Sequence, residues 1–128
     1  MEAEAKFVKN TLRTPRKTLK GEGGHTMIVG HSLGGAYTNI VGPRAHIPTF
    51  ALSPPGLYYG LKKFGLRETN DLYPYVTSII PDHDPIPKAD FQVVNVQNIP
   101  CTANIAGVGS QIQCHSAKRT LATLVMAW

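Results

Sequence analysis

The chain has 128 residues, is 42% hydrophobic and carries a formal net charge of +5. That length fits one domain with a real core and is short for an enzyme built on a wide sheet. No apolar run is long enough to predict a membrane-spanning helix, and the start MEAEAKFVKN lacks the apolar stretch of a signal peptide, so the residues carry no export address and leave the compartment open.

Much of the positive charge sits in the first twenty residues, at Lys6, Lys9, Arg13, Arg16, Lys17 and Lys20. Only Phe7 lies among them, without the interleaved aromatics or recognition motif of a nucleic-acid reader. The cluster reads as a solvated basic face, with transient contact to an anionic lipid surface as the next partner. Cys101 and Cys114 are too few for a disulfide framework and lack C-x-x-C spacing, so they do not fix the redox compartment; in an exported protein a bond between them would close a short loop and stiffen the approach to His115.

In chain order, the composition predicts a basic helix and linker over residues 1–24, with the helix over 2–12 ended by Pro15 and the cluster Gly21, Gly23 and Gly24. Residues 26–29 form a β-branched, apolar run suited to a buried strand, and 33–41 continue as a helix until Gly42 and Pro43 stop it. A second strand is expected over 47–52, closed by Pro54, Pro55 and Gly56. Residues 57–74 make a longer mixed connection holding Tyr58, Tyr59, Lys62, Lys63 and Phe64, whose rings serve either an acyl site or the core. A third strand runs over 75–80 to Pro81, residues 91–99 give a fourth strand or a hairpin arm, and 117–128 are apolar at helical spacing. This alternation argues for an α/β layer structure with a mostly parallel sheet.

The stretch TMIVGHSLGGAY places Gly30, Ser32 and Gly34 in the nucleophile-elbow pattern G-x-S-x-G, after a predicted strand and before a predicted helix. A strand that turns abruptly into a helix leaves the serine strained at the tip, and small flanking residues avoid collision with the neighbouring chain. The serine hydroxyl needs a base, and the base an orienting acid. His25 and His31 precede the serine, His31 as the variable residue inside the motif, and His46 lies between strands. Only His83 and His115 follow the third strand, where IIPDHDPIP offers Asp82 and Asp84 as acids. With Asp84 as the acid, His115 completes the order Ser, Asp, His. Cys101, Cys114 and His115 lack the paired spacing of a zinc site, and the chemistry requires no metal or cofactor.

VGHSLGGA, FALSPPG, IIPDHDPIP and IQCHSAKRT, in that order, resemble the class 3, or fungal-type, lipases of the α/β-hydrolase superfamily, in particular the protist branch whose histidine stands in a Cys-His-Ser triplet. The resemblance covers residues 25–125. It implies that Ser32 is the nucleophile, that Asp84 is the acid because Asp84-Pro85-Ile86-Pro87 matches the family's Asp-x-Val/Ile-Pro, and that His115 is the base. Asp82 and His83 are then turn residues. The activity implied is hydrolysis of carboxylic esters, usually acylglycerols, with the backbone N–H of Leu33 as one oxyanion donor. Family members are longer, and their upstream half supplies a further strand, the second oxyanion donor and the lid. The chain therefore resembles the C-terminal portion of a lipase domain, over 25–128, and the alternative reading is a non-catalytic remnant that binds lipid or a partner protein.

Overall fold

A computed structural model describes residues 26–67, 71–101 and 111–127 of the chain. The predicted helix over 2–12, the basic cluster between Lys6 and Lys20, and His25 lie outside the described residues. The described elements are β1 (Ile28–His31), α1 (Leu33–Ala45), β2 (Thr49–Leu52), β3 (Val76–Pro81), β4 (Asn95–Ile99), α2 (Gln111–Cys114) and α3 (Ala117–Met126), with short 3₁₀ turns at Tyr58–Gly60 and Ile86–Ala89.

The strands form one four-stranded sheet in the order β1-β2-β3-β4, and every neighbouring pair is parallel. The molecule is therefore an α/β structure. The fourth strand is parallel to its neighbour and no hairpin arm: Ser78 lies opposite Val96 and Pro81 opposite Ile99. Consecutive parallel strands need crossovers, and here these are α1, the connection after β2, and the loop after β3.

Two apolar clusters fix the layers. Ala36 and Ile40 of α1 pack with Leu57, Leu61, Leu66, Leu72, Val76 and Val94 on one face of the sheet. Leu52, Ile79 and Ile99 form the other cluster, joined by Phe50 and by Leu124 of α3. Val76 and Ile79 belong to different clusters because side chains three apart in a strand point to opposite faces. Leu72 is fully buried, and truncation of such a residue typically costs about 2–5 kcal/mol.

α1 owes its helicity to packing. Its sequence LGGAYTNIVGPRA is poor in strong helix formers, yet nine of its residues are buried, nearly all round the helix, as it crosses β1 and β2. The predicted stop at Gly42 and Pro43 does not occur there. The helix runs through Pro43, which lies buried in its last turn, and ends at His46 in the left-handed region (φ 56°), whose N–H closes back on the carbonyls of Gly42 and Pro43. So close to the end, the lost proline N–H removes one bond without a following turn to disrupt.

Strand boundaries also shift. The first strand starts at Ile28, where pairing with Thr49 begins, and runs on through His31. The second starts at Thr49 because Pro48 has no N–H for the ladder, although its carbonyl accepts from Ile28 N. Among the described residues β1 and β4 are the sheet edges; β4 is polar and exposed along most of its length, whereas β1 exposes Val29. No helix among the described residues is long and apolar enough to cross a membrane.

Candidate active site

Because all strands run the same way, the chain leaves β1, β2 and β3 at one edge of the sheet. The ladder continues one step past the strands: Ser32 N donates to Leu52 O at 2.9 Å, and Ser53 N donates to Ile79 O at 2.9 Å. Backbone strain collects at this edge. Ser32 (φ 57°), Ser53 (φ 51°) and His83 (φ 65°) are all non-glycine residues in the left-handed region, and each follows a different strand. Such conformations cost on the order of 1–3 kcal/mol each and persist where the surrounding structure holds them.

Ser32 is the single residue between β1 and α1, with φ 57° and ψ −126°. Its hydroxyl makes no capping bond to the helix. The neighbouring glycines divide the steric work differently from the motif. A Cβ on Gly30 would lie 2.5 Å from Gly34 O and 2.7 Å from Thr38 Cγ2, so any side chain there collides. A Cβ on Gly34 would meet nothing within 4 Å, so the expected crowding at this flank is absent. The next residue carries the close contact instead: on Gly35 a Cβ would sit 3.1 Å from Pro54 Cβ and 3.2 Å from Gly30 O. The first turn of α1 faces away from its neighbours at Gly34 and toward β1 and the post-β2 loop at Gly35.

Asp84 lies beyond β3, two strands from Ser32. Two strand spacings amount to about 10 Å, too wide for one hydrogen bond. His115, between α2 and α3, fills the gap. Its Nε2 is 2.8 Å from Ser32 Oγ, and its Nδ1 lies 3.0 Å from Asp84 Oδ2 and 3.1 Å from Oδ1. Asp84 is completely buried, and a buried carboxylate demands partners. It has the His115 ring and the backbone N–H of Ile86, which donates to Oδ1 at 3.0 Å. Ser32, Asp84 and His115 are thus in one hydrogen-bonded line.

The other candidates fall elsewhere. Asp82 and His83 are exposed turn residues, and the Asp82 main chain bonds Ile99 O. His46 caps α1, with its Nδ1 2.9 Å from the Tyr75 hydroxyl. The N–H of Leu33 belongs to the first turn of α1, where no intrahelical acceptor exists. The connection after β2 splits: Phe64 packs on the core, whereas Tyr58 and Tyr59 are exposed and pack edge-on or tilted against Phe91. Cys101 and Cys114 are joined in a disulfide, so neither offers a thiolate to a metal. No cluster of metal-ligating side chains occurs among the described residues. A cavity of about 110 Å³, lined by Pro81, Ile99, the disulfide, Thr123 and Met126, adjoins the residue before His115.

Two residues gain importance only in three dimensions. His31 Nε2 lies 2.7 Å from the main-chain oxygen of His115, and the two rings stand 4.7 Å apart. Its place beside Ser32 was visible, but a bond to a distant carbonyl leaves no trace in a residue pattern. Ser53 is fully buried at the end of β2, and its Oγ has no hydrogen-bond partner among the described residues. No protein-family model matches the chain, and no curated protein matches it.

Proposed function

We propose that the chain is a serine hydrolase of carboxylic esters, with Ser32 as nucleophile, His115 as general base and Asp84 as the orienting acid. The observation that carries this reading is the line Asp84–His115–Ser32, drawn from three separate parts of the sequence and closed at 3.0 and 2.8 Å. The strained serine between strand and helix reads as a nucleophile elbow, and the parallel sheet as part of an α/β-hydrolase. Acylglycerols as the substrate class, and a role in lipid metabolism, rest on the resemblance to the fungal-type lipases.

The mechanism follows from the donors and acceptors. The Ser32 hydroxyl donates to Nε2 of His115, and the Nδ1–H of His115 donates to Asp84. As Oγ attacks the ester carbonyl, Nε2 takes its proton and the carbonyl oxygen becomes an oxyanion, stabilised by the N–H of Leu33. Collapse breaks the ester C–O bond, and the imidazolium returns its proton to the departing alcohol. Water then attacks the acyl-serine with His115 again as base, releasing the acid and restoring Ser32.

The test is turnover of p-nitrophenyl butyrate. Hydrolysis, however slow, that is abolished in Ser32→Ala supports the reading; equal hydrolysis by wild type and Ser32→Ala contradicts it. The second reading, a non-catalytic hydrolase remnant that binds lipid or a partner protein, predicts no covalent reactivity at Ser32. Turnover that appears when an upstream segment is supplied by fusion or co-expression decides for the hydrolase.

A further inference from the structure

His115 is held at its main chain as well as at its ring. On its N-terminal side Cys114 is bonded to Cys101, two residues past the end of β4. The ring meets Asp84, which follows β3. The main-chain oxygen of His115 faces Nε2 of His31, the last residue of β1, at 2.7 Å. A carbonyl can only accept, so this bond requires the proton of His31 on Nε2. His115 needs the opposite arrangement, a proton on Nδ1 for Asp84 and a free Nε2 lone pair for the serine hydroxyl.

His31 is well placed for such a task. It is fixed in the ladder opposite Leu52, so its ring is carried by the sheet and not by a loop. It also precedes Ser32 directly. Two adjacent residues therefore address the same histidine: Ser32 meets the ring and His31 meets the backbone. The second contact uses neither atom between which the proton moves: transfer from Oγ to Nε2 exchanges donor and acceptor in the first contact and leaves the Nε2–H of His31 and the His115 carbonyl in their own roles.

We propose that His31 is a positioning residue, whose Nε2–H holds the His115 main chain so that the base stays aligned on Ser32; this rests on the hydrolase reading above. The His31 side chain thereby couples the nucleophile's own strand to the base. Displacement of a reacting group by about 1 Å can cost about 10²-fold in rate, so loss of this tether slows serine activation while leaving the protein folded.

The experiment uses the full chain and two readouts. Long-range ¹H–¹⁵N correlation spectra of wild type should assign His31 to the Nε2–H form and His115 to the Nδ1–H form; a His31 protonated only at Nδ1 overturns the proposal. The second readout is the rate of labelling of Ser32 by a fluorophosphonate in His31→Met and His31→Gln, side chains of similar length of which only the second donates. His31→Met should label about 10- to 100-fold more slowly and broaden the Nδ1–H resonance of His115, with His31→Gln within about threefold of wild type. A normal rate in His31→Met, or equal losses in both variants, overturns the proposal. A wild-type chain that takes no label, alone or with an upstream segment supplied by fusion or co-expression, overturns the hydrolase reading and the role of His31 with it, whereas a labelled wild type with unaffected His31→Met overturns His31 alone.

Discussion

Ser32 Oγ and His115 Nε2 stand 2.8 Å apart although 83 residues separate them in the chain. The contact spans the fold: the serine is delivered by β1, the histidine by the junction of α2 and α3. Nothing local brings them together, so the alignment depends on the sheet register, on the buried carboxylate of Asp84 and on the anchors of the His115 main chain.

Asp84→Asn should leave the protein folded and nearly abolish reactivity. An amide nitrogen facing Nδ1 favours the tautomer with the proton on Nε2, which turns the base away from the serine hydroxyl; such a change typically costs about 10⁴-fold. Labelling rates of the folded variant check this. A loss below tenfold would show that the carboxylate does not orient the base.

Gly30→Ala and Gly34→Ala separate the two glycines of the motif. The first places a methyl 2.5 Å from a backbone oxygen and should destabilise by about 1–3 kcal/mol, in the manner of an overpacked core. The second enters open space inside a helix and should be neutral or stabilise by up to about 1 kcal/mol. Urea denaturation midpoints decide, and equal losses at both positions would contradict the packing described.

The Cys101–Cys114 bond closes a sequence separation of 13 residues. A loop of this size is typically worth about 3 kcal/mol, chiefly through the unfolded chain. Replacing both cysteines by serine should lower stability by about that amount and slow Ser32 labelling, because Cys114 directly precedes His115. Mass spectrometry of unreduced protein should find no free thiol; two free thiols would remove the bond.

β1 is an outer strand among the described residues; its Val29 (55%) is exposed, as is Met27 (54%) just before it. Unpaired backbone beside exposed apolar side chains invites edge-to-edge association. Val29→Lys should reduce light scattering at a given protein concentration while changing stability by less than about 0.5 kcal/mol. Unchanged scattering would show that this edge is not where copies meet.

Much of this arrangement was legible in the residues, for identifiable reasons. Ser32 stands in a pattern whose spacing reflects a strand-to-helix turn, and Asp84 and His115 follow in an order that a parallel sheet brings to one edge. Alternating apolar runs and breakers were enough for the α/β layering. The misplacements are equally physical. Apolar character marked residues 26–29, but the strand begins where Thr49 is available to pair. Proline at position 43 signals a helix stop, yet burial holds the helix through it. The residue pattern does not distinguish a parallel strand from a hairpin arm at 91–99, because that depends on the crossover's path. Gly34 shares a motif with Gly30 without sharing its crowding, and the His31 bond to a main-chain oxygen has no residue-type signature at all.

The pairing of Ser32 with His115 is tested by the site of covalent labelling by a fluorophosphonate, read by peptide mass spectrometry in wild type and in His115→Ala. An activated serine requires both the hydroxyl and its base. Wild type should carry a single adduct on the peptide containing Ser32, and folded His115→Ala should label at the same residue at least a hundredfold more slowly, in keeping with the roughly 10²- to 10⁴-fold contribution of a positioned base. An adduct elsewhere, or equal labelling of Ser32 in both proteins, would contradict that pairing.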